Sequence, residues 1–295
     1  MRNTILTTLS AALSIATLSI QAFASTPVVY GKDDRKDLYE VLNPLFAKLA
    51  DSTVALIESD NLSQNASGIF NIQSKSLMAL ANVCSSEPYA DQPSGAFCSG
   101  SLIGKNIILT AGHCVTDAQS CADVRFVFGY NVSQKGVYPT SAKQSEVYSC
   151  KKIIHREQDG HGADFAVIEL DREVPNHEVL KVNSARMNST IEVGTKLVMI
   201  GHPVGLPTKV DDGGSVRDAS KKGFFLATTD SYGGNSGSAV FNYLNGEIEG
   251  VLVRGENDFV IKPGTSCRVT NMCSETGCRG EDVTKISAVI PYIPH

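Results

Sequence analysis

Two kinds of hydrophobic spacing run along this chain. Leu38, Val41, Leu42, Leu45, Phe46 and Leu49 recur with helical period, which predicts a short amphipathic helix. Pro44 lies inside that run and is expected to break or kink it. Beyond residue 97 the pattern changes to short apolar runs separated by turn residues. These predict strands over 101–110 (interrupted at Gly104-Lys105), 124–128, 148–154, 165–170, 196–200, 223–228 and 238–243. Asn245-Gly246 then leads into an apolar run over 248–253, a strong hairpin signal. Residues 52–58, Ser-Thr-Val-Ala-Leu-Ile-Glu, are rich in β-branched side chains and suit the first strand of a barrel. The alternative is that 25–75 is a propeptide. Residues 60–78 are rich in Ser and Asn and read as an exposed loop or a processed segment. Many short strands without βαβ alternation argue for an all-β sandwich or barrel and against a doubly wound sheet.

The N-terminus adds a compartment. Arg2, a mostly apolar run over 5–20 and Ala22-Phe23-Ala24 read as a secretory signal peptide over 1–24, cut before Ser25. Eight cysteines, an even number in an exported chain, imply disulfides. The spacing of Cys267, Cys273 and Cys278 does not suit zinc, and no metal or other cofactor is expected. A net charge of −5 without a long basic run disfavours nucleic acid as a partner. No segment after the leader is long and apolar enough to span a membrane. The expected location is therefore periplasmic or secreted.

Three local patterns carry chemistry. Thr110-Ala111-Gly112-His113-Cys114 ends an apolar strand, Asp164-Phe165-Ala166-Val167-Ile168 opens another, and Gly233-Gly234-Asn235-Ser236-Gly237-Ser238 precedes a third. Each alone has a bland reading as a structural histidine, a turn cap or a tight turn. Together they supply what acyl transfer needs: a hydroxyl, a base to take its proton, and a carboxylate to orient the base. Ser at position 238 breaks the G-x-S-x-G elbow of an α/β-hydrolase. The order His, Asp, Ser also excludes the subtilisin arrangement.

On these residues, with Cys98-Ser99-Gly100-Ser101-Leu102-Ile103, the chain resembles a chymotrypsin-fold, trypsin-like serine peptidase. Gly201-His202-Pro203 is similar to the bacterial glutamyl-endopeptidase branch. The resemblance implies two packed six-stranded antiparallel β-barrels with the site in the cleft between them. The peptidase domain would cover 76–295, with the first barrel ending near residue 180. It implies Ser236 as nucleophile, His113 as base, Asp164 as orienting acid, and the N–H groups of Gly234 and Ser236 as oxyanion hole. It also implies a Cys98–Cys114 disulfide and a substrate-pairing strand through Val253, Arg254 and Gly255. Val253 stands where the family has a serine beside the catalytic acid. Asn235 cannot form the ion pair that switches on digestive zymogens. Cys121 with Cys150, and Cys84 with one of the last three cysteines, are further candidate pairs.

Asp230, six residues before Ser236, matches the base of the trypsin specificity pocket and would favour cleavage after Arg or Lys. An internal partner for it, such as Arg254, is the alternative. The strand over 250–255 has no histidine, which weakens a glutamyl preference. The expected function is a monomeric exported endopeptidase acting on peptide or protein substrates, without a separate peptide-binding module. A non-catalytic binding protein on the same fold, or an esterase with the same triad, are the rivals.

Overall fold

The computed structural model describes residues 28–294, so the signal-peptide reading of 1–24 lies outside the described residues. A short strand, β1 (Arg35–Asp37), precedes helix α1 (Pro44–Asp51). Pro44 starts this helix instead of breaking it. It occupies the first turn, where no intrahelical N–H bond is lost, and the Asn43 side chain accepts from Leu45 N–H at 3.0 Å. Phe46, Leu49 and Ala50 turn into the core.

Six antiparallel strands then close the first barrel. They are β2 (Thr53–Glu58), β3 (Cys98–Gly104), β4 (Ile107–Thr110), β5 (Val124–Val127), β6 (Val147–Gln158) and β7 (Asp164–Leu170), in the order β5-β6-β7-β4-β3-β2 with β2 returning to β5. The run over 52–58 is therefore a barrel strand. Residues 60–78 are not loop throughout. Leu62–Gln64 and Ile69–Ile72 form a hairpin extended by Ser141–Lys143, with Ile72 buried against Ile57 and Tyr130.

The second half is a curled antiparallel sheet. Its strands are β8 (Leu197–Gly201), β9 (Lys209–Asp211), β10 (Val216–Asp218), β11 (Phe224–Ala227), β12 (Ala239–Asn242), β13 (Ile248–Arg254) and β14 (Glu281–Lys285), joined by β1 in the order β10-β11-β14-β13-β12-β8-β9-β1. The architecture is the expected all-β pair of barrels, with eight strands in this half and its ends left open. The extra edge strand is Arg-Lys-Asp, which has no apolar alternation to announce it. One apolar core joins the halves: Ile108 and Phe165 share it with Val198, Phe241 and Val251.

Four disulfides staple the fold: Cys98–Cys114, Cys121–Cys150, Cys84–Cys267 and Cys273–Cys278. Among the described residues no helix is long and apolar enough to cross a membrane.

Candidate active site

The three sequence patterns meet where the two halves join. Asp164 is the first residue of β7, and its side chain is nearly buried. One oxygen accepts from His113 N–H at 3.1 Å and the other lies 2.8 Å from His113 Nδ1. This fixes both the backbone and the ring of His113 and leaves Nε2 facing away from the acid. His161, the other histidine near Asp164 in sequence, sits on an exposed turn with its N–H on Asp159. No serine stands beside the acid at Val253. Thr284 takes part instead, accepting from Asp164 N–H at 3.0 Å and donating to Asp164 C=O at 2.9 Å. The Arg254 guanidinium comes to 4.0 Å of Asp164 Oδ2 while held by Asp282 at 2.9 Å.

The Ser236 turn is wedged between the halves. Ser236 C=O accepts from Ser99 N–H in β3 at 2.8 Å, and Gly237 N–H donates to Leu252 C=O in β13 at 2.8 Å. Gly237 has φ of 89°, and a Cβ there would lie 2.1 Å from Ser99 O and 2.3 Å from Thr110 Oγ1. Only glycine allows that approach. It brings the residue after Ser236 against the strand end that leads to His113. Among the described residues no hydrogen bond joins the Ser236 hydroxyl to His113, a contact often long without substrate.

Gly233 C=O accepts from Val204 N–H, and a trans peptide turns the next N–H to the opposite side. Among the described residues neither Gly234 N–H nor Ser236 N–H has an acceptor. Two free donors therefore flank the serine.

Ser99 is a residue whose role sequence reasoning missed. Its hydroxyl donates to Gly234 C=O at 3.0 Å and accepts from His202 N–H at 2.9 Å. It thus ties the donor-bearing turn to the first barrel and to the loop after β8. His202 itself is fully buried, and burial pushes its ring down to about 3, so it is neutral and donates from Nδ1 to Leu206 C=O at 3.0 Å. Asn235 uses its amide on Ser231 Oγ and Ser238 Oγ, at 3.0 and 3.2 Å.

The structure corrects the placement of Asp230. It is no open pocket base: it is 2% exposed, and its two oxygens accept from Tyr30 N–H at 2.8 Å and Asp34 N–H at 2.7 Å. Its own N–H donates to Asp211 at 2.8 Å. Burial pushes both carboxyls up. Arg254 is not its partner, being bound to Asp282. Asp230 instead anchors the N-terminal segment. Val253 sits at a bulge, where β13 slips against β14 between Leu252 and Arg254, and Gly255 C=O accepts from Arg279 at 3.3 Å.

Two barrels, an acid–histidine pair and a glycine-rich serine turn at their junction define a chymotrypsin-like protein. The chain belongs to the trypsin-like peptidase domain family, whose model matches residues 98–251. Among solved structures it is similar to the VesB protease of Vibrio cholerae, with a TM-score of 0.50 and 15% identity over 90% of this chain and 66% of that one. It is likewise similar to a Glu endopeptidase in complex with MPD, with a TM-score of 0.50 and 20% identity over 90% of this chain and 97% of that one. At such identities these likenesses speak for the fold alone. No curated protein sequence matches the chain.

Proposed function

We propose that this protein is an exported serine endopeptidase that cleaves peptide bonds through an acyl-enzyme. Ser236 Oγ attacks the scissile carbonyl while His113 Nε2 takes its proton. Asp164 holds Nδ1–H and stabilises the imidazolium that forms. The N–H groups of Gly234 and Ser236 receive the oxyanion, where one such donor is typically worth about 10²–10³ in rate. His113 then returns the proton to the leaving amine, and water releases the acyl group by the same steps in reverse. The observation that carries this reading is the double attachment of His113 to a buried Asp164, next to a serine turn with two unspent N–H donors. Four disulfides support an oxidising compartment, hence export.

The test is a peptide library digested by the oxidised protein and its Ser236→Ala variant, with every cut mapped by mass spectrometry. The variant is expected to lose at least about 10⁴-fold in kcat/KM. Cuts that survive the substitution would refute the assignment.

A further inference from the structure

Asp164 follows a turn that has little of its own to hold it. Asp159-Gly160-His161-Gly162 lies between β6 and β7, and two glycines in four residues give its backbone unusual freedom. Asp159, Gly160 and His161 are exposed, so apolar burial contributes little there. The turn closes on itself through Asp159 N–H to Ala163 C=O at 2.8 Å and Gly162 N–H to Asp159 C=O at 3.2 Å. Any drift of this turn would carry with it the carboxylate that holds His113 by both backbone and ring.

The second half supplies the restraint. Arg254 ends β13 beyond its bulge, and its side chain is largely buried. Nε donates to Asp282 Oδ2 in β14 at 2.9 Å, Nη1 to Asp159 C=O at 3.0 Å and Nη2 to Gly162 C=O at 2.8 Å. The fork therefore bonds both ends of the turn at once, and Nη1 also comes to 4.0 Å of Asp164 Oδ2. Its anchor is firm: Asp282 is nearly buried within β14 and accepts from Arg279 as well, at 2.8 Å to each oxygen. The guanidinium carbon lies 5.4 Å from the centre of the Phe224 ring, and Gly223 packs bare backbone on the same turn, where a Cβ would lie 2.6 Å from Ala163 N. A planar guanidinium can serve three fixed acceptors from both halves in this way, and a lysine ammonium cannot.

We propose that Arg254 is a positioning residue, which acts through the 159–162 turn and Asp164 to hold the acid–histidine pair of the first barrel in register with the Ser236 turn. The strand that carries it also carries that turn, since Leu252 C=O in β13 accepts from Gly237 N–H at 2.8 Å. β13 thus fixes the serine turn with its backbone and the acid with its last side chain. A misplacement of about 1 Å between reacting groups costs on the order of 10²-fold in rate. The inference rests on the peptidase reading above and adds to it a residue that touches no substrate.

The experiment is saturation kinetics of diisopropyl fluorophosphate on the oxidised protein, Arg254→Met and Arg254→Lys, with the adduct followed by intact mass. The maximal rate kinact reads the chemistry at Ser236, and KI reads the binding of a probe that has no peptide to pair with β13. Both variants are expected to lose about 10–100-fold in kinact while KI stays within a few-fold. Circular dichroism and labelling that still runs to completion show that the slow reaction belongs to folded protein. Lysine keeps the charge and loses the fork, so an Arg254→Lys protein as fast as the unaltered one overturns the clamp. An unchanged kinact in Arg254→Met, or a loss carried by KI, overturns it too. Should neither variant fold, the isosteric Asp282→Asn decides: a lower kinact at constant KI supports the proposal, and an unchanged kinact overturns it. Each of these leaves the peptidase reading standing, whereas an unaltered protein that is never labelled overturns that reading itself.

Discussion

At the scale of residues, the site depends on groups that do no chemistry themselves. Ser99 is the clearest case: one hydroxyl and one N–H fix both sides of the turn that carries the serine and its two free donors. Ser99→Ala removes the hydroxyl bonds to Gly234 C=O and from His202 N–H. The expected cost is about 1–2 kcal/mol in unfolding free energy. It should also bring roughly a tenfold fall in kcat, with KM nearly unchanged, because the turn loses its register. Urea unfolding and steady-state kinetics on one amide substrate measure both. His113, Asp164 and Ser236 stood out as candidates because each lies in a local pattern whose chemistry is specific in combination, and the fold does bring His113 and Asp164 together. Asp230 misled because spacing alone cannot say which side of a turn a carboxylate faces. Its true partners are backbone N–H groups about two hundred positions away, and backbone donors leave no mark in a sequence.

Among the elements, most strands with apolar runs were legible to within a few residues, but Ile69–Ile72 was read as loop and β1, β9, β10 and β14 were not announced. These contain Arg-Lys-Asp, Lys-Val-Asp, Val-Arg-Asp and Glu-Asp-Val-Thr-Lys; Lys36, Asp37, Lys209 and Arg217 among them bond to Asp212, Gln92, Gln92 and Gly277, partners that only the fold supplies. The connection between the halves shows how such partners act. His177 stacks on Phe128 at 4.3 Å and places one ring nitrogen 3.0 Å from Asp51, at the end of α1, and the other 2.8 Å from Glu146, just before β6. Burial opposes the charged ring, but the hydrogen bonds to the two carboxylates outweigh it and raise its pKa. A group whose folded pKa is raised gives stability that is complete below its unfolded value and is lost as pH rises through the folded value. His177→Gln should therefore cost most near pH 5.5 and little at pH 8.5, measured as the difference from the unaltered protein in urea unfolding. A cost that grew with pH would contradict the clamp.

Across the whole molecule, the N-terminal segment belongs to both halves. Residues 28–34 satisfy Asp230, β1 extends the second sheet, and β2 completes the first barrel. Deleting residues 28–34 would leave the buried Asp230 carboxyl without its two donors. The truncated chain is expected to lose peptide hydrolysis and to melt at lower temperature, checked by the same amide assay and by circular dichroism. Retained activity would mean that this segment is dispensable covering. The long tie from Cys84 to Cys267, one of the pairs the cysteine spacing left open, likewise joins the region ahead of β3 to the connection between β13 and β14. The central claim is that Ser236 is a nucleophile activated by His113 and Asp164. The decisive measurement is the intact mass and peptide map of the oxidised protein after reaction with a fluorophosphonate, alongside His113→Ala. One adduct, on Ser236 and absent from His113→Ala, is the predicted result. A folded protein that gains no adduct, or carries it on another residue, would contradict the claim.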